Sequence, residues 1–298
     1  MKKPANYFVV LLKDIGTLLG YSLLYILLTG CAHYVLYLVT HWDTPADFGT
    51  DKEGLGDVLF YKVAEIIVLL TFFAKRGTLR LNYNRILSLK PAKLLKGSRG
   101  FGYATLCIIF ITGLMMAFGA VRLAYNPAFP GAEVLMFFLI FITVGFYEEF
   151  LMRGIWLEYL LKRHSTFTAV TVSSLVFAAL HLGNNNVTLL AFVNLILAGI
   201  TLAQLYLFTK NLWLAAFFHL GWNFFQGPVL GFAVSGLPMH SIFIQPGNTS
   251  PSLLNGGAFG LEGSVIETIV TGLMVAGMGM ALWRRPKKLT KFNMGLSV

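Results

Sequence analysis

Four stretches of this chain carry no Asp, Glu, Lys or Arg: Ile15 to Trp42, Gly100 to Val121, His164 to Thr209 and Asn211 to Leu261. The last two run for 46 and 51 residues. About 20 consecutive apolar residues are what the hydrocarbon core of a bilayer asks of one helix. Only 12% of the 298 residues are charged and 56% are hydrophobic, whereas a soluble domain is about 25% charged. Such a chain has too few polar groups to cover a water-facing surface, which excludes disorder, collagen, a coiled coil and an ordinary cytosolic enzyme. The expectation is an all-α, polytopic transmembrane helix bundle.

Hydropathy predicts about eight membrane helices, near 15–40, 58–74, 101–122, 133–162, 166–183, 187–209, 212–233 and 264–283. In the second, Lys62 and Glu65 stand at helical i,i+3 spacing and can pair. The net charge of +10 suggests nucleic acid at first sight, but the basic residues lie between the apolar runs and follow the positive-inside rule. Nineteen of the 23 Lys and Arg fall in alternate loops, from Lys2, Lys3 and Lys13 to Arg284, Arg285, Lys287, Lys288 and Lys291. The opposite side holds Asp43, Asp47, Asp51, Glu53 and Asp57. Both termini are therefore expected to be cytoplasmic, the bilayer is the expected partner, and no nucleic-acid partner is expected.

Residues 1–100 read as amino-terminal membrane helices and a basic connector (75–99), and residues 101–298 as a catalytic helical core. The amino-terminal lysines precede a long apolar stretch without a small-residue cleavage site, so the first helix reads as retained. Cys31 and Cys107 both sit in apolar runs and read as packed small hydrophobes. Gly272 with Ala276 and Gly277 with Ala281 give the last helix a small-xxx-small face for close packing. Residues 234–263, rich in Gly, Pro, Ser and Asn, read as an external loop.

Polar side chains inside the apolar runs carry the functional information, because each costs about 2.5–3.5 kcal/mol at the bilayer centre. Glu148, Glu149 and Arg153 fall within the fourth helix. Glu149 and Arg153 are one turn apart and can pair, whereas Glu148 points about 100° away and lacks that partner. A carboxylate so placed suits a general base; the competing reading is a structural ion-pair cluster or a snorkelling helix end. Phe177 and His181 lie four apart near the end of the fifth helix, where a lone histidine can equally be a satisfied core residue. His219 and Asn223 share a face of the seventh, two donors for one small object, or helix–helix glue. For Asn194, Gln204 and Gln226 glue is the reading.

Depth is compatible with a meeting. Glu148 and His181 are equidistant from the His164–Ser165 turn, about 16 residues or roughly 24 Å along each helix. His219 is about 8 residues, roughly 12 Å, from the Lys210–Asn211 turn. The three groups are level if the hairpin of helices four and five projects farther into the cytoplasm.

Glu148-Glu149-x-x-x-Arg153, Phe177-x-x-x-His181 and His219-x-x-x-Asn223 together resemble the three motifs of the CPBP family, which comprises CAAX prenyl endopeptidases and bacteriocin-processing Abi intramembrane proteases. The resemblance spans residues 148–223 and leaves the first hundred uncovered. It implies an intramembrane endopeptidase acting on a membrane-associated peptide, prenylated and leader-type peptides among them. Glu148 and His181 would hold and deprotonate a water, His219 and Asn223 would form an oxyanion hole, and Glu149 would support the site, with Arg153 and Phe177 as structural support. No cofactor is favoured, since the His-Glu-x-x-His helix of many zinc peptidases is lacking; were zinc bound, Glu148, His181 and His219 would be its ligands. The alternatives are a proton-coupled transporter, because Glu and His chains also mark ion pathways, and a non-catalytic immunity or scaffold member of the family. Small size and the lack of organelle signals point to a prokaryotic plasma membrane, with the chain crossing it many times.

Overall fold

The structure, a computed structural model, describes residues 6–40, 52–74, 79, 81–82, 86–246 and 253–285. Among these the fold is all-helical apart from one two-stranded ribbon. The helices are α1 (Tyr7–Thr40), α2 (Lys52–Ala74), α3 (Pro91–Ala117), α4 (Glu133–Arg163), α5 (Thr166–Leu180), α6 (Leu189–Thr209), α7 (Leu212–Phe224) and α8 (Val265–Trp283). Five of them, α1, α3, α4, α6 and α8, are long and apolar enough to cross a membrane. They turn large apolar side chains outward, among them Leu106, Ile109 and Phe110 of α3 and Leu273 of α8, as a chain solvated by lipid does.

Helix starts are written in the sequence. Ser165, Thr188, Asn211 and Ser264 each accept a backbone N–H of the following turn at 3.0–3.2 Å, the N-cap arrangement that satisfies an otherwise orphaned donor. Pro91 opens α3, where its missing N–H costs nothing. Lys210 takes the left-handed conformation, φ 49°, that closes α6.

α7 is the central helix. It is only 13 residues long and buried on nearly every side, lodged between α3 and α4. Glycines permit this. A Cβ at Gly97 would meet Trp213, and one at Gly100 would meet the Leu214 carbonyl and the Phe218 nitrogen. A Cβ at Gly221 would come within 2.8 Å of the Phe101 carbonyl, and one at Gly145 within 2.8 Å of that of Ala216. α5 packs on α6, α6 on α8, and α2 on α4.

Several expectations are corrected. α1 begins at Tyr7 and so includes Asp14. Its charge is tolerated because the buried carboxylate meets Arg163 Nε and His164 Nε2, each at 2.8 Å, and Tyr159 Oη at 3.2 Å. α3 begins at Pro91, so Lys93, Lys96 and Arg99 are helical, not connector. The fifth helix ends at Leu180, which leaves His181 at its C-cap. Among the described residues the small-xxx-small face of α8 stays open: nothing lies within 4 Å of a Cβ built on Gly272 or Gly277. Lys2, Lys3, Lys75, Arg76, Arg80, Arg85, Asp43, Asp47, Asp51, Lys287, Lys288 and Lys291 lie outside the described residues.

The seventh helix does not run on as regular α-helix to 233. It passes into a π-helical turn, Phe225–Val229, that contains Pro228. The described residues beyond it, 230–246 and 253–263, form a packed cover, and 247–252 of the expected external loop lie outside the described residues. Phe232 N–H donates to the Gln226 carbonyl and Ile242 N–H to that of Pro228. The ribbon β1 (Ala124–Tyr125) with β2 (Phe243–Ile244) ties this cover to the α3–α4 connection, and Phe259 and Leu261 are buried. Of the residues read as glue, Gln204 bonds the Val275 carbonyl and Asn194 accepts from the Thr268 hydroxyl, both joining α6 to α8, whereas Gln226 bonds the Ala233 carbonyl only seven residues on and joins no second helix. Lys62 and Glu65 pair at 3.0 Å.

Candidate active site

Immediately after Glu149 the winding of α4 widens into a π-helix, Phe150–Leu157, with all eight residues buried. Such irregularities recur at functional sites because the extra residue per turn re-aims side chains. Arg153, one turn beyond Glu149 and inside this stretch, donates from Nη1 to Glu149 Oε1 at 2.8 Å, while Nη2 donates to the Gly199 carbonyl at 2.9 Å. Both side chains are sealed from solvent. The guanidinium also lies 4.7 Å from the centre of the Phe177 ring, and the same ring is 4.8 Å from that of His181 and 6.1 Å from that of His219.

The two imidazoles are oriented by their Nδ1 atoms. His181 Nδ1 is 2.8 Å from the Phe177 carbonyl oxygen; a carbonyl only accepts, so Nδ1 carries the proton and donates. His219 Nδ1 lies 3.1 Å from Glu149 Oε1, an oxygen already held by Arg153. Each ring therefore presents Nε2 to the same place, and both Nε2 atoms are 4.0 Å from Oε2 of Glu148. That gap is too long for a direct hydrogen bond and is the spacing at which one water bridges two polar groups.

Glu148, His181, His219 and Asn223 line one cavity of ≈ 360 Å³. Asn223 is one turn beyond His219 on α7. Among the described residues its carboxamide makes no hydrogen bond within the protein, and it stays available to a group in the cavity. The walls are largely apolar, from Phe137, Ile140 and Phe141 of α4 to Val234 and Leu237 of the cover. Glu148, Glu149, Arg153, Phe177, His181, His219 and Asn223 thus all meet, on α4, α5 and α7.

Residues with no role expected from the sequence also line the cavity. Leu55, Val58 and Lys62 of α2 line the cavity, with the Lys62 ammonium 5.7 Å from the Tyr147 ring centre. Ser235 of the cover also lines it, and its N–H and hydroxyl both donate to Glu262 Oε2. Lys62 was visible as a charge in an apolar segment; nothing local in the sequence marked Ser235.

The spacing of the donor set bears on whether it could hold zinc. A tetrahedral ion at about 2.0–2.1 Å from each ligand would hold them roughly 3.3 Å apart, while Glu148 Oε2 stands 4.0 Å from each Nε2. Among the described residues no group of three or more His, Cys, Asp or Glu is placed to hold a metal ion. The arrangement as it stands does not fit the ion.

Residues 130–225 match a family model described as Type II CAAX prenyl endopeptidase Rce1-like, a segment of about a third of the chain that contains all seven residues above. No curated protein and no solved structure matches the chain.

Proposed function

We propose, from a segment whose family match supports membership of the CPBP family of proteases, that this multi-pass membrane protein is an intramembrane endopeptidase. It would hydrolyse a peptide bond of a membrane-associated peptide, prenylated and leader-type peptides among the candidates. The observation that carries the reading is the convergence of Glu148 Oε2 with two imidazole Nε2 atoms at 4.0 Å inside a cavity.

In this reading a water sits between Glu148 and His181. Glu148 takes one of its protons as the oxygen attacks the scissile carbonyl carbon. The C=O electron pair moves onto oxygen, and the oxyanion accepts hydrogen bonds from the Asn223 carboxamide and from Nε2–H of His219 in its imidazolium form, whose Nδ1–H donates to the Glu149 carboxylate; such preorganised donors are worth about 10²–10³ in rate each. Collapse breaks the C–N bond, and Glu148 passes its proton to the departing nitrogen. The products are a carboxylic acid and a new amino terminus. Glu149 holds the His219 ring and is itself held by Arg153, with Phe177 packed among them. The reading needs no metal. The bundle would cross a prokaryotic plasma membrane eight times with both ends in the cytoplasm, residues 1–100 forming the amino-terminal helices and 101–298 the catalytic core.

The test is cleavage of a lipid-modified or membrane-embedded peptide by the purified protein in lipid. Glu148→Gln and His181→Ala should each abolish cleavage while leaving the thermal unfolding transition in place. Full activity in folded Glu148→Gln would end the proposal. A proton-coupled transporter would instead move substrate across sealed vesicles without cutting it.

A further inference from the structure

Behind His219 and Asn223 lies a second, smaller cavity of ≈ 30 Å³ that shares Phe177, His181, His219, Asn223 and Ser235 with the first. Its other walls are mixed: apolar side chains, among them Leu202, Phe218 and Met274, stand beside the polar Thr201 from α6, Glu267 and Thr271 from α8, and Glu262 from the cover. Glu267 is 1% and Thr201 2% exposed. Glu267 Oε1 accepts from the Thr271 hydroxyl at 2.7 Å. Among the described residues, Glu267 Oε2 and the Thr201 hydroxyl have no hydrogen-bond partner. A buried polar atom without a partner costs about 1–3 kcal/mol, and a water needs roughly 10–15 Å³ of such space and two to four polar neighbours. The cavity has both the room and the neighbours.

We propose that this rear cavity is a hydration site for one or two waters that set the rotation of the Asn223 carboxamide, making Glu267 and Thr201 positioning residues for the reaction above. A carboxamide has one accepting and one donating end. To stabilise an oxyanion Asn223 must turn its NH₂ toward the large cavity, which leaves its Oδ1 to be satisfied from behind. A rear water donates one hydrogen to Asn223 Oδ1 and the other to Glu267 Oε2, and accepts the Thr201 hydroxyl. This satisfies the two orphaned atoms and fixes the amide in its donating orientation. The inference rests on the proposed peptidase reading for what the amide does, but not for the waters themselves.

Two measurements test it. A high-resolution structure of the protein in lipid should show water bonded to Glu267 Oε2 and to Asn223; a dry cavity overturns the proposal whether or not the protein is a peptidase. In kinetics, Glu267→Leu and Thr201→Val should lower kcat about tenfold with KM unchanged. Glu267→Gln and Thr201→Ser, which keep an acceptor and a hydroxyl, should restore most of the rate and remain informative if Glu267→Leu fails to fold. Glu267→Leu should cost nothing further in an Asn223→Ala background, since coupled residues are non-additive. An equal tenfold loss in both backgrounds would show that Glu267 acts elsewhere. If wild type cleaves, Glu148→Gln does not and folded Glu267→Leu cleaves at the wild-type rate, this inference falls while the peptidase reading stands.

Discussion

His219 Nδ1 and Glu149 Oε1 lie 3.1 Å apart across seventy residues of sequence, and Arg153 holds the same oxygen at 2.8 Å. One carboxylate oxygen therefore orients an imidazole on α7 and anchors a guanidinium on α4. Glu149 is fully buried, and its adjacent neighbour Glu148 faces the cavity. Two consecutive acidic residues thus meet unlike surroundings, one sealed in the bundle and the other facing the cavity.

Removing one member of that buried pair leaves a charge uncompensated. Arg153→Met is expected to destabilise the protein by about 3–5 kcal/mol, read from thermal unfolding in lipid or detergent. Combining it with Glu149→Gln should recover part of the loss, since the stranded carboxylate is then gone. An unchanged transition in the single variant would mean that the pair carries no structural weight.

Asn223→Ala is expected to lower kcat by about 10²–10³ and to leave KM near its wild-type value, because an oxyanion donor acts on the transition state and not on the bound peptide. A variant that loses affinity at constant kcat would recast Asn223 as a substrate contact.

Gly100→Ala should destabilise by about 1–3 kcal/mol, since its added carbon collides with the backbone of α7. Gly272→Ala, on the open face of α8, should stay within about 0.5 kcal/mol of wild type. Equal effects at the two positions would argue that α7 is not lodged as closely as described.

Zinc chelation is expected to leave cleavage intact. Loss of activity under a membrane-permeant chelator, with recovery on adding zinc, would instead assign Glu148, His181 and His219 as ligands drawn together around the ion.

What was legible follows from locality. Glu149 and Arg153 sit four apart on one helix, so their pairing could be read directly, and the level placement of Glu148 and His181 followed from counting residues either side of the His164–Ser165 turn. The caps at Ser165, Thr188, Asn211 and Ser264 are likewise local chemistry. The π-helical stretch at Phe150–Leu157 was not legible, because an apolar run of this kind suits either winding and burial chooses between them. Residues 234–263 read as a loop by composition, and the described part of that segment, 234–246 and 253–263, is held by contacts with segments distant in sequence.

The uncharged runs alone determined that the chain is a helical membrane protein, because the number of polar groups available to meet water is a property of composition and order. The same order placed two carboxylates, an imidazole and a carboxamide in apolar helices and a second imidazole at a helix end. Only the tertiary structure decided that His219 shares an oxygen with Arg153, that α2 and the cover wall the cavity, and that Glu267 and Thr201 stand behind Asn223. Those relations depend on which helix faces which. That is set by glycine-permitted close approach and side-chain packing between segments distant in sequence, for which no local pattern in the chain is a record.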